Sequence, residues 1–169
     1  MSVKIENQEY SLYTLFQHHI WSNDRVFDAC LNLDHEQLQY ASAGTYGSIK
    51  ATLAHLVSAQ EAFLWILIKQ DAKDDRRANA EMSLDELKTR VQQCDALLLQ
   101  VATSTESETM VEYRTSDEQM GTLPAMYVLL QAIHHGHEHR THVTSMLGQL
   151  RIDPPVLSFW AYYEEQTAS

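Results

Sequence analysis

Five of the chain's nine histidines fall within nine residues, in the run His134-His135-Gly136-His137-Glu138-His139-Arg140-Thr141-His142. Neutral imidazole is a common ligand for divalent metals, and histidine is the side chain that changes charge nearest neutral pH. On a helix, at about 100° per residue, His139 lies about 40° from His135 and His142 about 20° to the other side. Val128, Ala132, Val143, Met146 and Leu150 share that stripe, which therefore faces a core and carries His135 and His139 inward, one turn apart. His134 and His137 fall off the stripe and can be solvated.

A third candidate ligand, His55, shares a stripe with Ala51, Ala59, Ala62, Phe63 and Ile66 in an earlier segment. The alanines leave room around the imidazole. Burying three unpaired imidazoles would cost several kcal/mol, on the order of the unmet hydrogen bonds. A divalent cation removes that cost, because each neutral ring offers it a lone pair at about 2.1 Å. An i, i+4 pair on one helix plus a ligand from another is a recurrent way to build such a site. Histidines on apolar faces also serve as hydrogen-bonded core residues, and surface clusters bind metal adventitiously; spacing alone leaves these alternatives open.

The elements that must position these residues read as helices. Five Gly and three Pro are too few for the many tight turns of an all-β fold. A first helix is expected from about Ser11 to Leu31, followed by a short turn over Asp34 to Leu38 with Asp34 as its cap. Residues 40–47 read as a loop, and Ser48 as the N-cap of a second helix from Ile49 to about Lys69. Asp71 to Asn79 reads as a solvated loop. Ser83-Leu84-Asp85-Glu86 is a capping-box signal for a third helix ending near Thr103. Ser104 to Gly121 is the least helical stretch, with Met110 to Tyr113 as an extended segment or hairpin arm. Thr122 is expected to cap a fourth helix reaching about Leu150, with Pro124 in its first turn. Asp153-Pro154-Pro155 then breaks the helix before an aromatic tail carrying Phe159, Trp160, Tyr162 and Tyr163. The expected fold is all-α: one domain over residues 1–169, a four-helix bundle with a short C-terminal helical tail.

Charge narrows the partners. With 12 Lys+Arg against 23 Asp+Glu, the net charge is −11, the wrong sign for phosphate neutralisation or for an anionic bilayer. Met1 to Tyr10 lacks the apolar stretch of a secretory signal, and no run approaches the ~20 apolar residues of a spanning helix. The expected location is the cytoplasm, with neither nucleic acid nor membrane as partner. Cys30 and Cys94 stand far apart among apolar neighbours and read as buried, reduced thiols.

Three segments resemble the DinB/YfiT family of metal-dependent helical proteins. Leu15-Phe16 through Trp21-Ser22-Asn23 resembles the family's opening helix. Gly47-Ser48-Ile49-Lys50-Ala51-Thr52-Leu53-Ala54-His55-Leu56 resembles the segment carrying its first metal histidine, and His135 to Arg140 matches its HxxxHR motif. Family members often continue that motif with Gly-Gln, where this chain has Thr141-His142. The family's "LRQLG" ending reads Leu147-Gly148-Gln149-Leu150-Arg151 here. The resemblance implies a four-helix bundle with one divalent ion on His55, His135 and His139, Zn first and Ni or Fe as alternatives, and water completing the site.

Three protein ligands leave a coordination position open, the mark of a catalytic site. Characterised relatives include transferases that use bacillithiol or mycothiol, and mycothiol-dependent isomerases. The resemblance thus implies a low-molecular-weight-thiol S-transferase or a related hydrolase, with a small thiol and an electrophile as partners. Glu138, Arg140 and His142 are the candidates for base or anion contact. Each has a plainer reading: Glu138 as a solvated carboxylate, Arg140 in a surface ion pair, His142 as a pocket residue behind the ligands. Of His18 and His19, either could line the pocket, with one expected to be exposed. A different class of reading is a non-catalytic helical homodimer or stress protein with a vestigial or sensory metal site, in which Trp160, Tyr162 and Tyr163 cover the interface; the same aromatics could equally close the end of the monomer's own core. A carboxylate di-iron site lacks its Glu-x-x-His pairs.

Overall fold

Helix starts follow the capping chemistry written in the sequence. Ser48 Oγ accepts the Ala51 backbone N–H and opens α3 (Ile49–Ile68), satisfying one of the first-turn donors that a helix leaves unpaired. Ser83 and Glu86 form a reciprocal capping box at the head of α5 (Leu84–Ser104). Asp34 and Gln37 do the same for the one-turn α2 (His35–Leu38). The computed structural model describes residues 8–69, 76–106, 108–114 and 117–168. Its remaining elements are α1 (Gln8–Cys30), α4 (Arg76–Glu81), α6 (Ala125–Gln149), α7 (Phe159–Thr167), β1 (Met110–Arg114) and β2 (Met120–Pro124).

The protein is mostly helical, and two expectations about its elements need correction. Part of the stretch expected to be a solvated loop is α4, and its Asn79 is fully buried, donating to Ser58 Oγ and Glu61 Oε2 at 2.8 Å each. Residues 70–75 of that expected loop lie outside the described residues. The second correction concerns Thr122, which caps no helix. It sits in β2 opposite Glu112, within an antiparallel pair running from Met110↔Pro124 to Arg114↔Met120. Helix α6 begins only after Pro124, whose side chain makes no capping hydrogen bond. The fold is mostly helical with one small two-stranded sheet, consistent with the expected all-α class and with Met110 to Tyr113 as an extended arm.

Helices α1 and α3 each pack against both α5 and α6. The apolar interior holds two large clusters and a smaller one of Val111, Ala125 and Val128. One large cluster gathers Val26, Phe27, Leu53, Leu56, Val91 and Met146; the other gathers Phe16, Leu64, Leu98, Leu129 and Ala132. Between them in sequence, on all four helices, fall buried polar residues: His19 and Asn23 of α1, Gln60 of α3, Asp95 of α5, and His139 and Arg140 of α6. A polar layer in a packed interior is costly unless its groups are paired.

Helix α3 is, by length and composition, long and apolar enough to cross a membrane, contrary to the expectation that no run approaches this. Half of its window is buried against the rest of the protein, and Gln60 and Glu61 interrupt it. It packs at the centre of the fold on α4, α5 and α6. Cys30 and Cys94 are free and buried, as their apolar neighbours predict, and burial pushes both thiols up to about 12.

Candidate metal centre

The packing of α3 on α6 brings His55 to His135 and His139. His135 and His139 lie one turn apart, with ring centroids separated by 4.2 Å and Nε2 atoms by 3.1 Å. His55 Nε2 approaches His135 Nε2 at 3.2 Å. One ligand atom from each of the three rings lies within 4.8 Å of the others.

A neutral imidazole carries one N–H and one lone pair. His135 Nε2 faces two other Nε2 atoms, and a single lone pair or a single N–H cannot make two good hydrogen bonds at once. A cation is the partner that satisfies all three nitrogens together. Tetrahedral geometry with nitrogens at about 2.1 Å places ligand atoms about 3.4 Å apart, close to the 3.1 and 3.2 Å separations found. The three residues therefore fit a divalent ion. His135 and His139 are both pushed down to about 4, first by burial and then by neighbouring histidines. The rings are held neutral, with lone pairs available.

Aromatic rings flank the triad. Phe63 meets His135 edge-on at 5.7 Å. Tyr46 lies flat on His55 and edge-on to His139.

The expected auxiliary residues scatter. His142 is half-buried with its ring 5.4 Å from that of His139, and its buried Nδ1 has no hydrogen-bond partner among the described residues. Glu138 is exposed, acting on His135 through charge alone in the direction that favours protonation. Arg140 is only 2% exposed, so the surface ion pair is not what it makes. Its Nη1 donates to Asn23 Oδ1 at 2.6 Å and lies 3.3 Å from His19 Nδ1. His134 and His137 are exposed, as their place off the stripe requires. His18 and His19 are both buried, against the expectation that one is exposed.

Behind the triad runs a network that sequence reasoning missed. Asp95 accepts from Asn23 Nδ2 at 3.0 Å and from Gln60 Nε2 at 2.8 Å, with His19 Nε2 at 3.5 Å. Asn23 thus relays between the Arg140 guanidinium and the Asp95 carboxylate. Burial lowers the pKa of His19; Asp95 opposes the shift and Arg140 adds to it. Burial also lowers Arg140 to about 10, opposed by the Asp95 charge, which leaves it a cation at neutral pH. The signal was present in part: Asp95 sits four residues after Val91 and three before Leu98, on an inward stripe where a carboxylate must have a partner.

Gly136 makes the close approach of α1 to α6 possible. A Cβ there would stand 2.5 Å from His19 Cε1 and 2.8 Å from Arg140 Nη1. The glycine next to His135 is thus a packing requirement of the network.

No curated protein matches the chain. The sequence model of the DinB family, by contrast, matches residues 1–168, nearly its full length and all three candidate ligands. Together with three histidines poised on two packed helices, that match gives the chain its family: it belongs to the DinB family.

Proposed function

We propose that this chain is a metal-dependent enzyme, a low-molecular-weight-thiol S-transferase or a related hydrolase. Its frame is taken to be the four-helix bundle of α1, α3, α5 and α6. The observation that carries the reading is the convergence of His55, His135 and His139 through single ring nitrogens within 4.8 Å. Three neutral imidazoles suit Zn, with Ni or Fe as alternatives. A divalent ion held there would supply Lewis acidity at an open position, lowering the pKa of a water or thiol.

The chain's own residues complete the reading. His142, half-buried beside His139, would hold or pass a proton at a ring nitrogen. Glu138, at the exposed edge of the same helix, would act on the approach of a substrate. Arg140 would serve the site from behind, fixing α6 against α1 through Asn23. The partners would be a small thiol and an electrophile, encountered in the cytoplasm, with neither nucleic acid nor membrane involved.

The test is turnover by the Zn-loaded protein with small thiols and an activated aryl halide, and with ester and amide substrates. Thiol-dependent conjugation that disappears in His55→Ala and His139→Ala supports the transferase. Hydrolysis with the same dependence supports the hydrolase. Full metal occupancy without turnover on any of these would overturn the enzyme reading.

One observation favours a second reading, a non-catalytic homodimer with a sensory metal site. On α7, Tyr162 packs on Trp21, but Trp160 is 79% and Tyr163 63% exposed. Exposed aromatics of this size are enriched at interfaces. A dimer in sedimentation that Trp160→Ser dissociates would support it, and a monomer at all concentrations would remove it.

A further inference from the structure

We propose that Tyr46 is a positioning residue of the metal centre, holding the His55 ring in the plane its ligand role needs and walling one side of the site. The inference rests on the three-histidine metal reading and adds a fourth residue to it, from a loop rather than a ligand helix.

The geometry is specific. The Tyr46 and His55 rings lie 3.8 Å apart at 15°, a stacked pair. The same Tyr46 ring meets His139 edge-on, at 5.3 Å and 87°. One side chain therefore touches ligands from both α3 and α6. A histidine swings its Nε2 through a wide arc as the ring turns about the Cβ–Cγ bond. A flat aromatic neighbour restricts that turn because stacking is lost as the planes diverge.

The loop that presents Tyr46 is tied at several points, so the ring's place is set by more than the stack. The Ile49 N–H donates to Tyr40 O at 3.0 Å, and Ala41 bridges Ser48. Thr45 Oγ1 lies 2.8 Å from Ser42 O and 3.1 Å from Gly47 O. Tyr40 and Ser42 hydroxyls both donate to Gln149 Oε1, at 2.9 and 3.0 Å, anchoring the loop on the last turn of α6. Gly44 takes the one positive-φ turn in the loop, at +84°. Tyr46 is nonetheless 53% exposed and belongs to none of the apolar clusters, so its replacement leaves them intact.

Groups that orient metal ligands typically hold about 10- to 100-fold in metal affinity. A stacked ring without a hydrogen bond belongs at the lower end, about tenfold. The experiment is titration of the metal-free, full-length protein with Co²⁺, followed by its visible absorption, with Zn²⁺ in competition. Release to a chelator is timed in parallel. Wild type, Tyr46→Phe, Tyr46→Trp and Tyr46→Leu are compared.

The expected result is that Phe and Trp stay within about twofold of wild type, while Leu binds about tenfold more weakly and releases metal faster. Leu binding and release within twofold of wild type would overturn the proposal. So would equal weakening by Phe and Leu, which would assign the effect to the hydroxyl. A second measurement uses the metal-free wild type alone, should Leu disturb the loop. Ring-to-ring NOEs between Tyr46 and His55 are expected, and their absence in the folded protein would overturn the stack. A wild type that takes up no Co²⁺ or Zn²⁺ while showing those NOEs would instead sink the metal reading beneath it.

Discussion

Replacing Gly136 by Ala sets two effects of opposite sign against each other, and the structure decides between them. On an open helix face the exchange would stabilise by about 1 kcal/mol, since Ala is the better helix former. Here the new methyl would stand 2.5 Å from His19 Cε1 and 2.8 Å from Arg140 Nη1. Neither atom can retreat cheaply. His19 is fully buried, with Asn23, Gln60 and Asp95 around its ring, and the Arg140 guanidinium is held on Asn23. Overpacking of this kind costs about 1–3 kcal/mol, and displacing Arg140 from Asn23 adds about 1–3 kcal/mol for a buried charged donor left short of a partner. With the helix gain subtracted, the net loss is about 3 kcal/mol, or roughly 6–12 °C in Tm for a chain of this size. Urea unfolding of the metal-free protein measures it directly, and working without metal keeps ligand binding out of the comparison. A variant as stable as wild type, or more stable, would refute the close α1–α6 approach through His19.

Acid should weaken the fold before the carboxylates titrate. His19 has its pKa lowered from the ordinary 6.5 by burial, so below 6.5 the unfolded chain binds a proton that the folded chain refuses. Its contribution is complete above pH 6.5 and declines as pH falls toward the folded value. Urea midpoints of the metal-free protein should therefore drop from pH 7.5 to 5.5, and a flat profile would contradict a neutral buried His19. Cys30 and Cys94, both pushed up to about 12 by burial, should resist a disulfide reagent at pH 8 until denaturant is added. Prompt labelling of either in the folded protein would contradict its burial.

What was legible in the sequence was whatever repeats locally. Ser48, Ser83 and Asp34 announce helix starts because capping acts over three residues. His135 and His139 are inward-facing because the stripe through Ala132, Val143 and Met146 runs over several turns. Thr122 was misread because Pro124 reads equally well in a first helical turn, while the pairing that makes β2 a strand joins it to Met110–Arg114, earlier in the chain. The burial of Arg140 was hidden for a different reason. Arginine is seldom buried, and its partners Asn23 and His19 lie on α1, at the other end of the chain. Tyr46 was equally silent, since an aromatic in a glycine-bearing loop says nothing about the ring it will meet.

The central claim is the metal centre, and metal content tests it most directly. Untagged wild type, His135→Ala and His139→Ala would be purified alike, checked for equal helix content, and analysed for bound metals after reconstitution. The three converging imidazoles predict about one equivalent in wild type and a loss in both variants. Folded wild-type protein that takes up no divalent metal, or variants that keep a full equivalent, would contradict the account.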